Sequence, residues 1–182
     1  AIYAWTNDKM VNIFDTQLAQ ALLDNNFSIS YQGLVEEKLG IVLEKKETRS
    51  NWLRRPLSDA QLKYAALDVE YLIYLYEDQV NELNNCTKME WHNQDIERLI
   101  KDTFNPYSVK NEIPRTLPLS QENKFLFNLN KIIEEIAQRE KISPTLFLSK
   151  KAQKDFFRTI LLKGLNSACE EITIWRKELI YD

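Results

Sequence analysis

The sequence predicts a largely helical protein, in which an α/β first part with one short strand is followed by an all-α second part. Hydrophobic residues make up 44% and charged residues 28% of the 182 residues, and only three glycines and five prolines are present. This composition is typical of an ordered helical protein. Apolar residues recur at three- and four-residue steps, as amphipathic helices require. Pro106, Pro114 and Pro118 lie close together and predict an extended connector between the two parts.

The first part is expected to contain the strand and three helices. Ala1–Trp5 has the composition of a helix end, and Val11–Phe14 is predicted to form a short strand. Asp15 follows at a strand-to-helix turn, where an aspartate is more often a cap than a metal ligand, so we expect it to cap a helix over Thr16–Leu23. A second helix is predicted over Tyr31–Leu39, with the following glycine at its end.

The longest predicted helix begins after Ser58 and continues to about Asn84. Ser58 and Gln61 have the spacing of a capping box, in which each side chain accepts a backbone N–H of the other residue. One stripe of the helix is expected to face a core. The residues of this stripe are Leu62, Ala65, Val69, Leu72, Tyr76, Val80 and Leu83.

Tyr64 and Asp68 lie together on the flank of that stripe, because residues four apart share one side of a helix. A phenol and a carboxylate at the edge of a buried face suit a functional site. From the spacing alone, such a pair is more often a half-buried aromatic residue beside a solvated charge.

Residues 45–55 form a basic segment that leads into this helix. The segment holds five basic residues, one acidic residue and Trp52. Lysine and arginine neutralise phosphates, so Arg55 with one or more of Lys45, Lys46 and Arg49 is expected to line a path for RNA. The alternative is a solvated loop, and Trp52 itself is expected to pack into the core.

The second part is expected to be a separate helical unit that carries a second basic strip. Lys150, Lys154 and Arg158 recur every four residues, with Lys151 adjacent, and predict one basic helix face. This face either is solvated or contacts phosphates. Ser120 and Ser149 are expected caps, Gly164 an expected helix end, and Leu146–Leu148 an apolar plug. The helices predicted after residue 86 are Gln94–Lys101, Glu122–Glu140, residues 150–162 and Ser167–Leu179.

Composition excludes several classes of function. No apolar run approaches the ~20 residues that span a bilayer, and no signal peptide is visible. A single histidine, His92, argues against histidine-rich zinc sites and a Ser–His–Asp triad. Cys86 and Cys169 lack a CxxC pattern and are expected to be free thiols in a reducing cytoplasm. The net charge is −3, yet residues 111–182 carry twelve basic and ten acidic residues.

The run WLRRPLSDAQLKYAALDVEYLIYLYE, which starts at Trp52, resembles the third exonuclease motif of ribonuclease D, from the tyrosine-containing branch of the DEDD superfamily. The motif Tyr-x-x-x-Asp is matched by Tyr64 and Asp68. FDTQLAQALL and LVEEKLGIVLEKKETRSNWL extend the similarity upstream. The resemblance implies that residues 1–86 are the C-terminal remnant of a ribonuclease H-like α/β domain. ISPTLFLSKKAQKDFF and ITIWRKEL resemble an HRDC domain, which implies a nucleic-acid-binding unit over residues 121–182, after a linker over 87–120 with one short helix.

The resemblance implies hydrolysis of phosphodiester bonds with two divalent ions, Mg²⁺ or Mn²⁺. Asp68 would be a metal ligand, and Tyr64 would orient or help to deprotonate the attacking water. The other three acids of the family lie in upstream motifs that this sequence does not contain. We therefore expect the 182-residue chain to be inactive alone, unless another chain supplies them.

Two functions of different class follow. The first is part of a 3′→5′ exoribonuclease that trims the 3′ ends of structured RNA, such as tRNA precursors. The second is a non-catalytic nucleic-acid-binding or interaction module. In either case, the surface left by the missing strands is expected to self-associate or to bind a second chain, and no contact with a membrane is expected.

Overall fold

The computed structural model of the protein describes residues 11–24, 29–44, 46–104 and 113–182. The predicted helix end at Ala1–Trp5 and the basic residue Lys45 lie outside the described residues, as does most of the connector around Pro106. In the described ranges the helices are α1 Thr16–Leu23, α2 Tyr31–Leu39, α3 Asp59–Glu70, α4 Leu72–Asn85, α5 Met89–Phe104, α6 Leu119–Glu140, α7 Pro144–Phe147, α8 Lys150–Lys163, α9 Leu165–Glu170 and α10 Ile174–Tyr181.

The predicted strand over Val11–Phe14 is not formed, and no other strand occurs in the four described ranges. Asn12 has a φ of 56°, which is incompatible with extended backbone. The Phe14 ring instead stacks on His92, with ring centroids 4.3 Å apart, and meets the Tyr76 ring edge-on at 5.0 Å. The segment thus packs against helices, and the α/β class expected for the first part is not seen in its described residues.

The predicted caps of the first part are confirmed. The Asp15 carboxylate accepts the backbone N–H groups of Gln17 and Leu18 at the start of α1. Gly40 ends α2 in the left-handed region, with a φ of 68°. Ser58 and Gln61 form the complete capping box of α3. These contacts are local in sequence, and each satisfies backbone groups that a helix end leaves unpaired.

The long helix predicted to run to Asn84 is divided at Tyr71 into α3 and α4. The Tyr31 hydroxyl donates to the carbonyl of Leu67 at 2.9 Å and accepts the backbone N–H of Tyr71 at 3.3 Å. In an uninterrupted helix that N–H would donate to that carbonyl directly. A phenol is therefore inserted into the helical hydrogen-bond ladder, which is a recognised cause of helix breaks.

The core-facing stripe predicted for this helix is largely wrong. Leu83 is buried, but Leu62 and Val69 are 53% and 60% exposed, and Leu72 and Tyr76 are exposed as well. The buried face of α4 carries Leu75, Gln79 and Leu83 at four-residue steps. Leu75 packs against Leu34 and Val35 of α2. The Gln79 side-chain amide donates to the carbonyl of Thr16 at 2.9 Å. Gln79, a polar residue outside the predicted stripe, is thus buried, whereas Tyr76 within the stripe is exposed.

The second part keeps the predicted helices with altered bounds. α5 is longer than the predicted Gln94–Lys101, and α6 begins at Leu119 without a side-chain cap from Ser120. The expected last helix, Ser167–Leu179, is divided into α9 and α10, because the Thr173 backbone is extended and its hydroxyl accepts from a guanidinium NH of Arg176. Ser149 caps α8 and Gly164 ends it, as predicted. The plug formed by Leu146, Phe147 and Leu148 is buried.

One hydrophobic core joins the two parts. It contains Leu22 and Leu83 from the first part with Ile133, Phe147 and Trp175 from the second. α5, which was expected to be a short linker helix, contributes Trp91, whose ring stacks on Trp175 with centroids 4.6 Å apart. The predicted division at residues 86 and 120 stays a prediction. No helix in the described part of the chain is long and apolar enough to cross a membrane.

Candidate active site and basic surfaces

The loop before α3, residues 47–52, is hydrogen-bonded to the first turn of that helix. The Gln61 side chain donates to the Ser50 hydroxyl at 3.0 Å and to the carbonyl of Asn51 at 3.2 Å, in addition to its role in the capping box. The Trp52 indole donates to the carbonyl of Glu47 at 3.1 Å. Trp52 is half-buried over this loop and lies outside the core clusters of the described residues, contrary to its predicted core position.

Tyr64 faces this loop. Its hydroxyl lies 3.1 Å from the Thr48 hydroxyl, and its ring centroid lies 5.9 Å from that of Trp52. The side chain is half-buried. Because the loop is held by Gln61 and Trp52, the position of the Tyr64 phenol is determined by residues 47–52 as well as by α3.

Asp68 lies one turn further along α3 and lines a different feature, an open groove of about 550 Å³. The carboxylate is half-buried. Both α1 and α2 contribute to the groove through their first residues. The residues that line it are Ile13, Phe14, Asp15, Thr16, Gln17, Tyr31, Gln32, Asp68 and Leu72.

The sequence predicts a shared functional site for Tyr64 and Asp68, and the structure brings only Asp68 to the groove. Tyr64 is not among the residues that line it. The two side chains still share one side of α3, and neither is fully buried in a packed core. The arrangement is therefore a phenol held by a loop beside a carboxylate on an open groove.

Tyr31 is a groove residue that the sequence did not indicate. Its hydroxyl lies between Leu67 and Tyr71, next to Asp68 in the chain. Burial raises the pKa of the Tyr31 phenol, and the negative charge of Asp68 adds to this rise. Its partners are 36 and 40 residues away in sequence, so no local motif could reveal the role.

The carboxylates of the groove are too few for a site with two divalent ions, which needs several oxygen ligands. Asp15 already accepts two backbone N–H groups as a helix cap. Asp68 is the other acid on the groove. Within the described ranges, no group of three or more His, Cys, Asp or Glu side chains is placed to hold a metal ion. Asp68 can supply one ligand, and the described residues alone do not complete a two-metal site.

The basic residues predicted near this site have varied surroundings. Lys46 forms an exposed ion pair with Glu44 at 3.0 Å. Arg55 donates to the carbonyls of Trp52 and Arg54, so its guanidinium stabilises the loop itself. Arg49 is exposed. The RNA path predicted here stays a prediction.

The residues of the basic strip on α8 also differ in their exposure and in their partners. Arg158 donates to the buried Glu122 carboxylate at 2.7 Å and to the carbonyl of Ile113 at 2.9 Å. This pairing lowers the pKa of Glu122. Lys150, Lys151 and Lys154 are exposed. The exposed charge of the strip thus belongs to the lysines, whereas Arg158 connects α8 to α6.

Comparison with known proteins identifies the first part. The sequence model of the 3′–5′ exonuclease family matches residues 2–84. Ribonuclease D of Xanthomonas oryzae pv. oryzae is 46% identical over 88 residues, which are 48% of this chain and 24% of that protein. Ribonuclease D of Pseudomonas paraeruginosa is 51% identical over 71 residues, or 39% of this chain and 19% of that protein. The chain thus spans about a quarter or less of these relatives.

The crystal structure of Escherichia coli RNase D shares the fold. It superposes with a TM-score of 0.52 over 92% of this chain and 46% of that chain, at 20% sequence identity. The superposition therefore includes both helical parts. The match to the family model, by contrast, lies in the part that carries Tyr64 and Asp68. The family model and the sequence relatives agree, and the matched part of the chain, residues 2–84, accordingly resembles the 3′–5′ exonuclease domain of the ribonuclease D family.

Proposed function

We propose that the chain is part of a 3′→5′ exoribonuclease that trims the 3′ ends of structured RNA, with tRNA precursors as a substrate class. The observation that carries this proposal is the pair Tyr64 and Asp68 on one side of α3, inside the region that matches the exonuclease family. The E. coli relative is an exoribonuclease involved in structured RNA processing, which supports the same kind of substrate.

The 3′–5′ exonuclease family generally uses divalent metal ions. We propose Mg²⁺ or Mn²⁺, with Asp68 as one of its ligands, because a hard cation prefers carboxylate oxygen. Such an ion supplies charge stabilisation at the phosphate when bound. Tyr64 would hold the attacking water through its hydroxyl, in exchange for the present contact with Thr48. Residues 46–55 would guide the RNA strand towards α3.

Residues 1–182 alone are proposed to be inactive, because the groove offers only one carboxylate that is not already a helix cap. The remaining ligands would come from another polypeptide segment. Cys86 and Cys169 are free thiols, which supports a location in the reducing cytoplasm.

The test is single-turnover cleavage of saturating RNA by the longest natural polypeptide that carries residues 1–182. Asp68→Asn keeps the shape but removes the charge, so turnover should collapse while RNA affinity is retained. Tyr64→Phe should slow turnover by about 10²–10⁴-fold, the usual loss for a positioned acid–base group. Glu70→Gln is the matched control, because Glu70 is an exposed acid on the same helix. Cleavage by Asp68→Asn at the wild-type rate would refute the assignment.

A specific observation favours the second candidate, a non-catalytic interaction module. Leu62, Val69 and Ile73 expose an apolar face along α3 and α4, and exposed apolar patches often mark association surfaces. This face would bind a second copy or another chain. The two proposed functions differ in one requirement. An exonuclease requires an Asp-x-Glu pair and a further Asp from outside residues 1–182, whereas an interaction module does not.

A further inference from the structure

A second groove lies between α6 and α8, away from Tyr64 and Asp68. Its volume is about 290 Å³. No acidic side chain lines it, although both helices carry acids elsewhere. The residues that line the groove are Asn123, Leu126, Phe127, Asn130, Lys150, Gln153 and Lys154. The combination is two cations, three side-chain amides and one aromatic ring.

Phe127 gives this groove an exposed aromatic surface. The side chain is 61% exposed, although it lies in the middle of a 22-residue helix. The Lys131 ammonium lies 4.7 Å from the centre of the ring. By comparison, Phe125 on the same helix stacks on the buried Phe157, with ring centroids 5.5 Å apart. One face of the Phe127 ring thus contacts the Lys131 ammonium, and the exposed remainder of the ring is accessible to a planar ligand.

Both lysines line the groove without a carboxylate partner in the described residues. The Lys150 ammonium donates to the side-chain oxygen of Asn130. The Gln153 amide donates to the same oxygen at 3.3 Å and to the carbonyl of Leu148 at 2.9 Å, which fixes its orientation. Neither Lys150 nor Lys154 forms an ion pair in the described part of the protein. Their charge is therefore not neutralised by a direct partner, in contrast to that of Arg158.

We infer that this groove binds one nucleotide unit of single-stranded RNA, with a base stacked on Phe127 and the adjoining phosphate between Lys150 and Lys154. Aromatic stacking beside cations is how proteins bind single strands without sequence preference. A duplex would keep its bases stacked on one another and leave the ring unused. An acidic peptide would use the lysines alone. The inference rests on the proposed exoribonuclease function, for which this groove would be a second contact with the substrate.

The experiment measures fluorescence anisotropy of a labelled twelve-residue oligouridylate with the 182-residue chain, in EDTA so that no cleavage occurs. Phe127→Leu should weaken binding by about 5- to 150-fold, the range for the loss of one base–aromatic stack. Phe127→Trp should restore the affinity. Lys154→Gln should reduce the slope of log K against log[salt] by about 0.7, as expected for one lost phosphate contact on a single strand. Lys177→Gln is the matched control, because Lys177 is an exposed lysine on α10 that does not line the groove.

Two competitors separate RNA from other anions. Inorganic polyphosphate carries phosphates without bases, so its affinity should depend on Lys154 and not on Phe127. If Phe127→Leu weakens binding of oligoglutamate as much as that of the oligouridylate, the groove is a peptide site and the inference is wrong. Wild-type affinity of Phe127→Leu for the oligouridylate also overturns the inference. That result leaves the proposed exoribonuclease function intact as long as Asp68→Asn abolishes turnover, so the two failures are distinguishable.

Discussion

At the scale of single residues, the Tyr31 hydroxyl has the clearest structural effect. It takes the place of one backbone hydrogen bond, between Leu67 and Tyr71, and thereby ends α3 shortly after Asp68. A side chain from α2 therefore determines where the helix that carries the candidate site stops.

Removal of this hydroxyl should merge α3 and α4. In Tyr31→Phe, the Tyr71 N–H can donate directly to the Leu67 carbonyl, so one backbone bond replaces two bonds to the phenol. The expected change in the free energy of unfolding is small, about 0.5–1.5 kcal/mol, the net value of one hydrogen bond. Amide hydrogen exchange should show stronger protection of Tyr71. Tyr74→Phe is the control, because Tyr74 is exposed; unchanged protection of Tyr71 in Tyr31→Phe would contradict the assigned cause.

His92 gives a second prediction at this scale. It is fully buried, stacks on Phe14 and accepts the Asp15 backbone N–H at 3.2 Å. Burial lowers the pKa of its imidazole below the ordinary 6.5. Protonation therefore favours the unfolded chain, and stability should fall as the pH decreases through about 6.5, then level off below the folded pKa.

The measurement is urea unfolding between pH 8 and pH 5. Because His92 is the sole histidine of the chain, the difference between wild type and His92→Gln isolates its contribution. The glutamine oxygen can still accept the Asp15 N–H. The wild type should lose more stability than the variant in this window. Parallel pH profiles of the two proteins would disprove the assignment to His92.

At the scale of secondary-structure elements, α4 has one face that is buried and one face that is exposed. Leu75, Gln79 and Leu83 are buried against α1 and α2, whereas Ile73 on the outer side is 67% exposed. Together with Leu62 and Val69 on α3, the outer side forms an apolar face that the described residues do not cover.

This face should cause the 182-residue chain to self-associate. Burial of apolar surface stabilises association by about 25 cal/mol per Å², so Val69→Glu with Ile73→Glu should shift the chain towards monomer. Asn81→Glu with Asn84→Glu is the matched control, because it adds the same charge at exposed polar positions of α4. Sedimentation velocity over a range of concentrations measures the effect. If the wild type is monomeric throughout, the prediction is wrong.

At the scale of the whole molecule, buried polar contacts connect the two helical parts. Lys88 donates to the carbonyls of Leu22 and Glu140 at 2.9 and 2.7 Å, so one ammonium binds the C-terminal ends of α1 and α6. The Arg176 guanidinium donates to both oxygens of Asp95 on α5, and to the carbonyls of Leu146 and Phe147. α5 is thus part of the shared interior.

Loss of the Asp95 charge should destabilise the whole protein. Asp95→Asn leaves the buried Arg176 without its counter-charge, which typically costs about 3–5 kcal/mol. Denaturant unfolding should remain a single transition with a lower midpoint. Glu97→Gln provides the control, because Glu97 is an exposed acid on the same helix. Independent unfolding of one part, with the other unaffected, would instead support the predicted division into separate units.

Features that depend on neighbours in the chain could be predicted from the sequence. Asp15, Gly40, the capping box of Ser58 and Gln61, and the Ser149 cap were all predicted correctly, because a helix end is satisfied by residues within a few positions of it. The Tyr-x-x-x-Asp motif with its flanking sequence also indicated the exonuclease family that matches residues 2–84, since these segments can be compared residue by residue along the chain.

Features that depend on distant partners could not be predicted from the sequence, because folding brings those partners together. The division of the long helix needs Tyr31, and the burial of Arg176 needs Asp95, which is 81 residues away. The groove beside Phe127 exists because Asn130 on α6 meets Lys150 and Gln153 on α8. Apolar periodicity shows which faces of a helix can be buried, but whether a face is buried depends on what packs against it. The exposed Leu62 and Val69 illustrate this difference.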